Sequence, residues 1–448
     1  MVNYLQSHRN LVLTMFLCIA IVFCGIYPVL GIAIIATCTL PVLIKPKSYL
    51  FISLFLSPIY IGYGISKYMR QIDFGTLDNI IKCGFLFVLG FFMVLSGEKL
   101  RKDIVFPFYA NIAVLCSIIY AIPIFSAVSV SDSFYFLKLI IPVLLFMITV
   151  KFYDELDWEK VQKWFVVLLI AHFIVSIPQF LSENAAYDIA RASGLTPSRN
   201  TFSMFMVMMF NFLFVIVALR NKRKLTIKDF LLLAMISMLE FVSFSRGAWA
   251  VFVATAVIFF IWQRRYLLLV TVSALGSGLA YLYWEKIQLR INVFGYGTEE
   301  HRNKITTMLI EKGNESPLFG HGFGWAQEFM IMNDIGLIQP HNDYVRFFVD
   351  MGYVGLSFVL LPFALIFFRM VYLIVKSKEQ SVRTVSFITL LSILQVGAFM
   401  YVYNVYDMFY ATISFVWFFA AVSEMEYRKK KLFKTKKVVQ GTKEIRVG

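Results

Sequence analysis

The sequence predicts an all-α polytopic membrane protein, a single transmembrane domain over residues 1–448, and three observations carry that prediction. Hydrophobic residues make up 59% of the chain and charged residues 15%, whereas soluble domains are roughly 25% charged. Apolar runs of about 20 residues, long enough to cross a bilayer core as helices, recur along nearly the whole length. The polar connectors between them alternate, every second one being rich in Lys and Arg.

Spans are expected near 10–26, 28–44, 49–66, 77–97, 104–127, 134–150, 162–181, 200–219, 227–244, 247–262, 266–284, 343–374, 384–403 and 407–425. The first two form either two helices or one broken unit, so the count is about 12–14. The N-terminus, with His8 and Arg9 ahead of a long apolar run, resembles a retained signal anchor, because no small-residue cleavage site with a polar sequel follows. The connectors KPK at 45–47, EKLRKD at 98–103, KFYDELDWEK at 151–160, RNKRKLTIKD at 220–229, QRR at 263–265 and KSKEQSVR at 376–383 all fall on one side. The basic tail, residues 427–448, joins them. Excess Lys and Arg marks the cytoplasmic side, so both termini are expected there. The net charge of +15 is absorbed by these loops and needs no nucleic-acid partner; membrane lipids are the expected neighbours. Cys18, Cys24, Cys38, Cys83 and Cys116 all lie in expected spans and read as packing residues.

The opposite face carries a medium loop near 182–199 and one long loop, 285–342, too short for an independent enzyme domain. That loop holds a helix-like stretch, EEHRNKITTMLIEKG, then the Gly-rich SPLFGHGFGWAQEF. Its charge is unusual: Arg191, Arg199, Arg246, Arg290, Arg302 and Arg346 stand on this face, and lysine is scarce. Guanidinium groups suit phosphate oxygens and stay charged when partly buried. Arg246, in SFSRGAW beside Ser243 and Ser245, sits in a turn close to the hydrocarbon boundary. It is either a functional charge or a side chain reaching lipid headgroups. RASGLTPSRN places Arg191 and Arg199 at the mouth of the next span, with Pro197 and Ser198 as turn and cap residues. Arginines from several loops on one face point to an anionic ligand, a diphosphate at the membrane surface being the natural one.

His301, His321 and His341 share the long loop, but their spacing fits no compact zinc pattern, so no metal or other cofactor is expected. His172 reads as a hydrogen-bonded core residue and His8 as a solvated one. In PHNDYVRFFVDMGYVG, Pro340 sets the chain direction and Asn342 or Asp343 can cap the following helix. Gly352 and Gly355 lie on nearby turns, where small residues allow close helix contact. His341 then stands just outside a helix N-terminus, either as a capping residue or as a general base titrating near neutral pH.

His341, Asn342, Gly352 and Gly355 form a His-Asn, nine residues, Gly, two residues, Gly pattern. It resembles the signature of the O-antigen ligase and Wzy-type O-antigen polymerase superfamily. The preceding Gly-rich segment and the two arginine segments are similar to those of the same superfamily, so the likeness covers roughly 190–360. The resemblance implies a GT-C-like membrane glycosyltransferase of the bacterial inner membrane, with one long periplasmic loop, an active site on the periplasmic face and no metal. Its donor would be a glycan on undecaprenyl diphosphate. His341 would deprotonate or orient the acceptor hydroxyl. Arg246 would be a main diphosphate ligand, assisted by Arg191, Arg199 or Arg302, with Arg346 among the candidates. The acceptor would be a second lipid-linked repeat for a polymerase or a lipid A-core sugar for a ligase, and a chain-length regulator would be a possible partner. The expected span count and an Arg302-x10-Gly313 spacing lean towards polymerase. A flippase or ion-coupled carrier would instead place ionisable residues deep in several spans. Glu240 is the nearest such residue, towards the outer end of its helix.

Overall fold

The computed structural model describes residues 50, 53–54, 130–181, 192–196, 198–220, 225–285, 288, 298–333, 340–403, 405 and 410–444. Apart from three residues of 49–66, the five expected spans before residue 130 lie outside that set, as do the five cysteines, Arg191 and Arg290. Among the described residues the regular structure is helical, with no strand. In chain order the α-helices are α1 (Val130–Phe152), α2 (Trp158–Leu181), α3 (Arg199–Leu219), α4 (Ile227–Val242), α5 (Arg246–Trp262), α6 (Tyr266–Leu282), α7 (Thr298–Gly313), α8 (Trp325–Met332), α9 (Asp343–Lys376), α10 (Gln380–Val402) and α11 (Tyr410–Glu444). Four of them, α2, α3, α9 and α10, are long and apolar enough to cross a membrane, and α1, α5 and α6 contain shorter apolar stretches. This is a multi-pass helical membrane protein. The expected helix bounds hold to within a few residues except in α11, which continues to Glu444 through the basic run.

α3 sits at the centre because nothing in it demands an aqueous face. After Arg199 it carries no charge, and Thr201 to Ala218 are all buried. It packs against α4, α5, α10 and α11. Where apolar surface is abundant on every side, polar side chains set which helix meets which. Asn211 of α3 donates to Ser392 at 2.7 Å and to the Gln395 carbonyl at 2.6 Å, both on α10. The Gln395 amide nitrogen in turn donates to Thr255 of α5 at 2.8 Å. This amide seam ties three helices at mid-length.

One end of the bundle is closed by ion pairs. Arg220 grips both oxygens of Asp229 at 2.7 and 2.9 Å, and Asp229 completes a reciprocal cap with Thr226 at the start of α4. Arg369 of α9 holds both oxygens of Glu424 of α11 at 2.6 and 3.1 Å. These pairs accompany the basic connectors read above as cytoplasmic.

α9 departs from expectation. Gly352 does not ease a helix–helix contact: it breaks the helix, with φ 67° and ψ −170°. The segments 343–351 and 353–376 are therefore two helices joined by a kink. Four backbone groups released by the break are taken up by the Gly-rich loop. His321 N donates to Val349 O (3.0 Å), Gly322 N to Asp350 O (2.9 Å), Tyr353 N to Pro317 O (2.8 Å) and Val354 N to Leu318 O (3.2 Å). A Cβ on Gly352 would run into the backbone of Leu318, and one on Gly320 into that of Asp350. Gly355, one turn on, lies against Met351.

Gly352→Ala is expected to destabilise strongly, by about 3 kcal/mol or more, because it combines a left-handed backbone with a backbone clash. Gly276→Ala in α6, where the added carbon meets nothing within 4 Å, should be neutral or stabilise by up to about 1 kcal/mol. Thermal melts of the two variants in the same detergent check the contrast, and equal melting temperatures would refute it.

Candidate functional site at the helix ends

The end of the bundle opposite the ion pairs gathers the N-termini of α3, α5 and α9 and the C-terminus of α10. Arg199 and Arg246 are the first residues of α3 and α5. Ser198 caps α3, its hydroxyl accepting from Thr201 N at 3.1 Å. Ser245 precedes α5 but does not cap it. Its hydroxyl is instead hydrogen-bonded to the Tyr403 hydroxyl at 2.7 Å and donates to Asn200 Oδ1 at 3.3 Å. The N-terminus of α5 therefore carries Arg246 and no side-chain cap, an arrangement that favours an anion.

The turn before Arg246 is braced from below. Phe244 holds φ 50°, a conformation that costs a bulky residue about 1–3 kcal/mol. Its ring is fully buried, stacked on Phe180 at 5.9 Å and packed against Phe241 and Trp249. Trp249 Nε1 donates to Glu240 O at 2.9 Å. The buried Glu240 carboxylate accepts from Ser203 at 2.5 Å, and Ser243 donates to Ser203 at 3.2 Å. Glu240 thus belongs to the support of the turn. His172 occupies a similar structural role, its Nδ1 accepting from Leu195 N at 3.3 Å beneath the loop that leads to Arg199.

His341 lies just outside α9. Asn342 is the cap, its Oδ1 accepting from Tyr344 N and Val345 N at 3.0 and 3.2 Å. Capping is thus done by the neighbour, and the imidazole is left for another role. His341 has φ 50°, and its Nδ1 is buried with no hydrogen-bond partner among the described residues. Burial first, and then the charge of Arg302, lower its pKa to about 4 from an ordinary 6.5. Arg302 lies exposed on α7, eleven residues before Gly313, which abuts the Phe348 ring of α9. His341 is consequently neutral at pH 7 and within electrostatic reach of a guanidinium.

Arg346 stands apart from the other arginines. It is 1% exposed, its Nε is 3.6 Å from Asp350 Oδ2, and its guanidinium lies over the Phe323 ring at 5.8 Å. Asp350 also accepts from Gly324 N at 3.1 Å and Ala326 N at 2.8 Å, anchoring the start of α8. His321 accompanies this internal structure, its Nε2 2.8 Å from Lys312 O and its ring stacked on Trp325. Asp350, Asp343, Ser245, Asn200 and Tyr403 hold the site together, and sequence reasoning singled out none of them as a site residue. Asp350 had one legible signal, a carboxylate four residues after Arg346 on the same helix face.

His341 also has a consequence for stability. Because its folded pKa lies below the unfolded one, its contribution is full above about pH 6.5 and is lost as pH falls towards about 4. Arg302→Gln should raise the titration midpoint of His341, modestly, since burial is the larger cause. NMR titration of imidazole-labelled protein checks this, and an unmoved midpoint would separate Arg302 from His341.

Comparison with known proteins bears on this same region. No curated protein matches the chain. Residues 230–360 match the family model described as O-antigen ligase. The matched segment runs from α4 to the second half of α9 and contains Arg246, Arg302, the interlocked loop and the His341 motif. Over this segment the chain is similar to the O-antigen ligase family, and the match supports a place in the O-antigen ligase/polymerase superfamily.

Proposed function

We propose that the protein is a polymerase that joins oligosaccharide repeats carried on undecaprenyl diphosphate, at the periplasmic face of the bacterial inner membrane. One observation carries the reading: a buried imidazole within electrostatic reach of Arg302 stands at the helix ends that also bear Arg199 and Arg246, and its motif falls in the segment matched to the family. His341 accepts the proton of the acceptor sugar hydroxyl. The hydroxyl oxygen bonds to the anomeric carbon of the donor while the bond from that carbon to the diphosphate oxygen breaks. Attack from the face opposite the leaving group inverts the anomeric centre. Undecaprenyl diphosphate departs, and Arg246, Arg199 and Arg302, with Arg191 as a further candidate, stabilise its charge. A diphosphate bound beside Arg302 offsets the charge that depresses the His341 pKa, so the base strengthens when the donor is in place. Arg346, engaged with Asp350, serves the framework in this reading.

The Arg302-x10-Gly313 spacing favours polymerase; Arg302 acts electrostatically on His341, and Gly313 seats α7 against Phe348 of α9. The description of the matched family favours the second reading, a ligase that passes the lipid-linked glycan to lipid A-core.

His341→Ala should lower glycan transfer by a factor of at least about 100 while the protein remains inserted and folded. Arg246→Lys should lower it about 10-fold or more, one ammonium being no substitute for a two-pronged guanidinium. Radiolabelled transfer from lipid-linked donor by purified variants measures both, and wild-type rates would overturn the assigned roles. In a deletion strain, surface glycan with one repeat on lipid A-core indicates a lost polymerase. Bare core with accumulating lipid-linked polymer indicates a lost ligase, and an unchanged ladder counts against both.

A further inference from the structure

The arginine turn and the histidine motif lie on different helices, yet both are fastened to the C-terminal end of α10. On one side, the Tyr403 hydroxyl bonds to Ser245, the residue before Arg246, at 2.7 Å. Gly247, the residue after Arg246, leaves room for it: a Cβ there would lie 3.0 Å from the Tyr403 hydroxyl oxygen. On the other side, Val405 N donates to Asp343 Oδ2 at 2.6 Å, two residues from His341. A second tie runs from the Tyr344 hydroxyl to Gly397 O at 3.0 Å. Tyr403 itself is fixed by Tyr403 N donating to Phe399 O at 2.7 Å, and its side chain is buried.

We infer that Tyr403 is a positioning residue that sets the separation between Arg246 and His341, by holding the turn of one against the same helix end that holds the other. The inference rests on the transferase reading above. A diphosphate at Arg246 and an acceptor hydroxyl at His341 must meet at one anomeric carbon, so the distance between the two side chains has to be fixed by something common to both. The exit of α10 touches both mounts. The bond also draws the Ser245 hydroxyl away from the N-terminus of α5, leaving that terminus open beside Arg246. Several arginines share the donor, so loosening one mount should impair alignment more than binding. The expected signature is a lower kcat with little change in KM for donor.

The experiment uses the full chain in lipid nanodiscs with a synthetic undecaprenyl-diphosphate-linked repeat, comparing Tyr403→Phe, Ser245→Ala and their double variant. Each single variant should lose between about 10- and 100-fold in kcat, the cost of misalignment by an ångström or less, with donor KM within about twofold. The double variant should be no worse than Ser245→Ala alone, because that variant already lacks the bond to Tyr403 along with the one to Asn200. Gly247→Ala, which pushes on the Tyr403 hydroxyl without removing it, should show the same kcat loss and covers the case of a single variant that fails to fold. Single variants with wild-type kcat, losses that multiply in the double variant, or a loss confined to KM would each overturn the inference. A wild-type protein that transfers nothing would instead overturn the transferase reading, and the positioning role with it.

Discussion

The structure of the site depends on a helix that stops being one at Gly352. Inside a bundle of long apolar helices, a break leaves backbone donors and acceptors that must find partners, since unmade hydrogen bonds are costly away from water. Here the partners come from the loop between α7 and α8, which supplies two carbonyls and two amides in register. The exchange binds the loop to the helix and separates the short segment 343–351 from the long span below it. That short segment carries the His341 motif at its start and the Asp350 anchor at its end. Asp350 then accepts two amides from the start of α8 and faces Arg346. Removing one partner of such a buried pair typically costs about 3–5 kcal/mol, so it fixes the loop firmly.

Around this centre the two ends of the bundle are built differently. At one end the arginines are spent on carboxylates, as with Arg220 on Asp229 and Arg369 on Glu424. At the other, Arg199 and Arg246 start helices, and hydroxyl and amide groups of Asn200, Ser245 and Tyr403 tie those starts together. Of the three non-glycine residues with positive φ among the described residues, Phe244 and His341 lie within two residues of a helix start at this end, and Arg264 lies in a connector at the other. Packing compensates the strain at Phe244 through a cluster of aromatic rings.

Much of the architecture was legible in the sequence, because apolar runs, basic connectors and caps are local signals. Ser198 and Asn342 cap as their positions suggest, and every helix from α1 to α6 begins and ends within a few residues of the expected place. His172 was legible as a core residue. The break at Gly352 was not, because a glycine in an apolar helix more often marks close packing, and its partner loop lies about 30 residues away. The burial of Arg346 was hidden for a related reason: the sequence shows a charge at a membrane boundary, not the acid and aromatic ring that enclose it. Tyr403 and Asp343 were hidden because their partners are 158 and 62 residues distant. Long-range hydrogen bonds leave no local periodicity.

The interlock at Gly352 also limits how the loop can be altered. Loops are usually the parts of a protein most free to change length and sequence. This one is not free, because its carbonyls and amides are matched one for one to those of a helix further along the chain. An insertion between residues 316 and 322 would shift that register, and a loop grafted from a related chain would need the helix break that came with it. Residues 316–354 therefore form a single structural unit, in which a change of loop length requires a matching change in the helix.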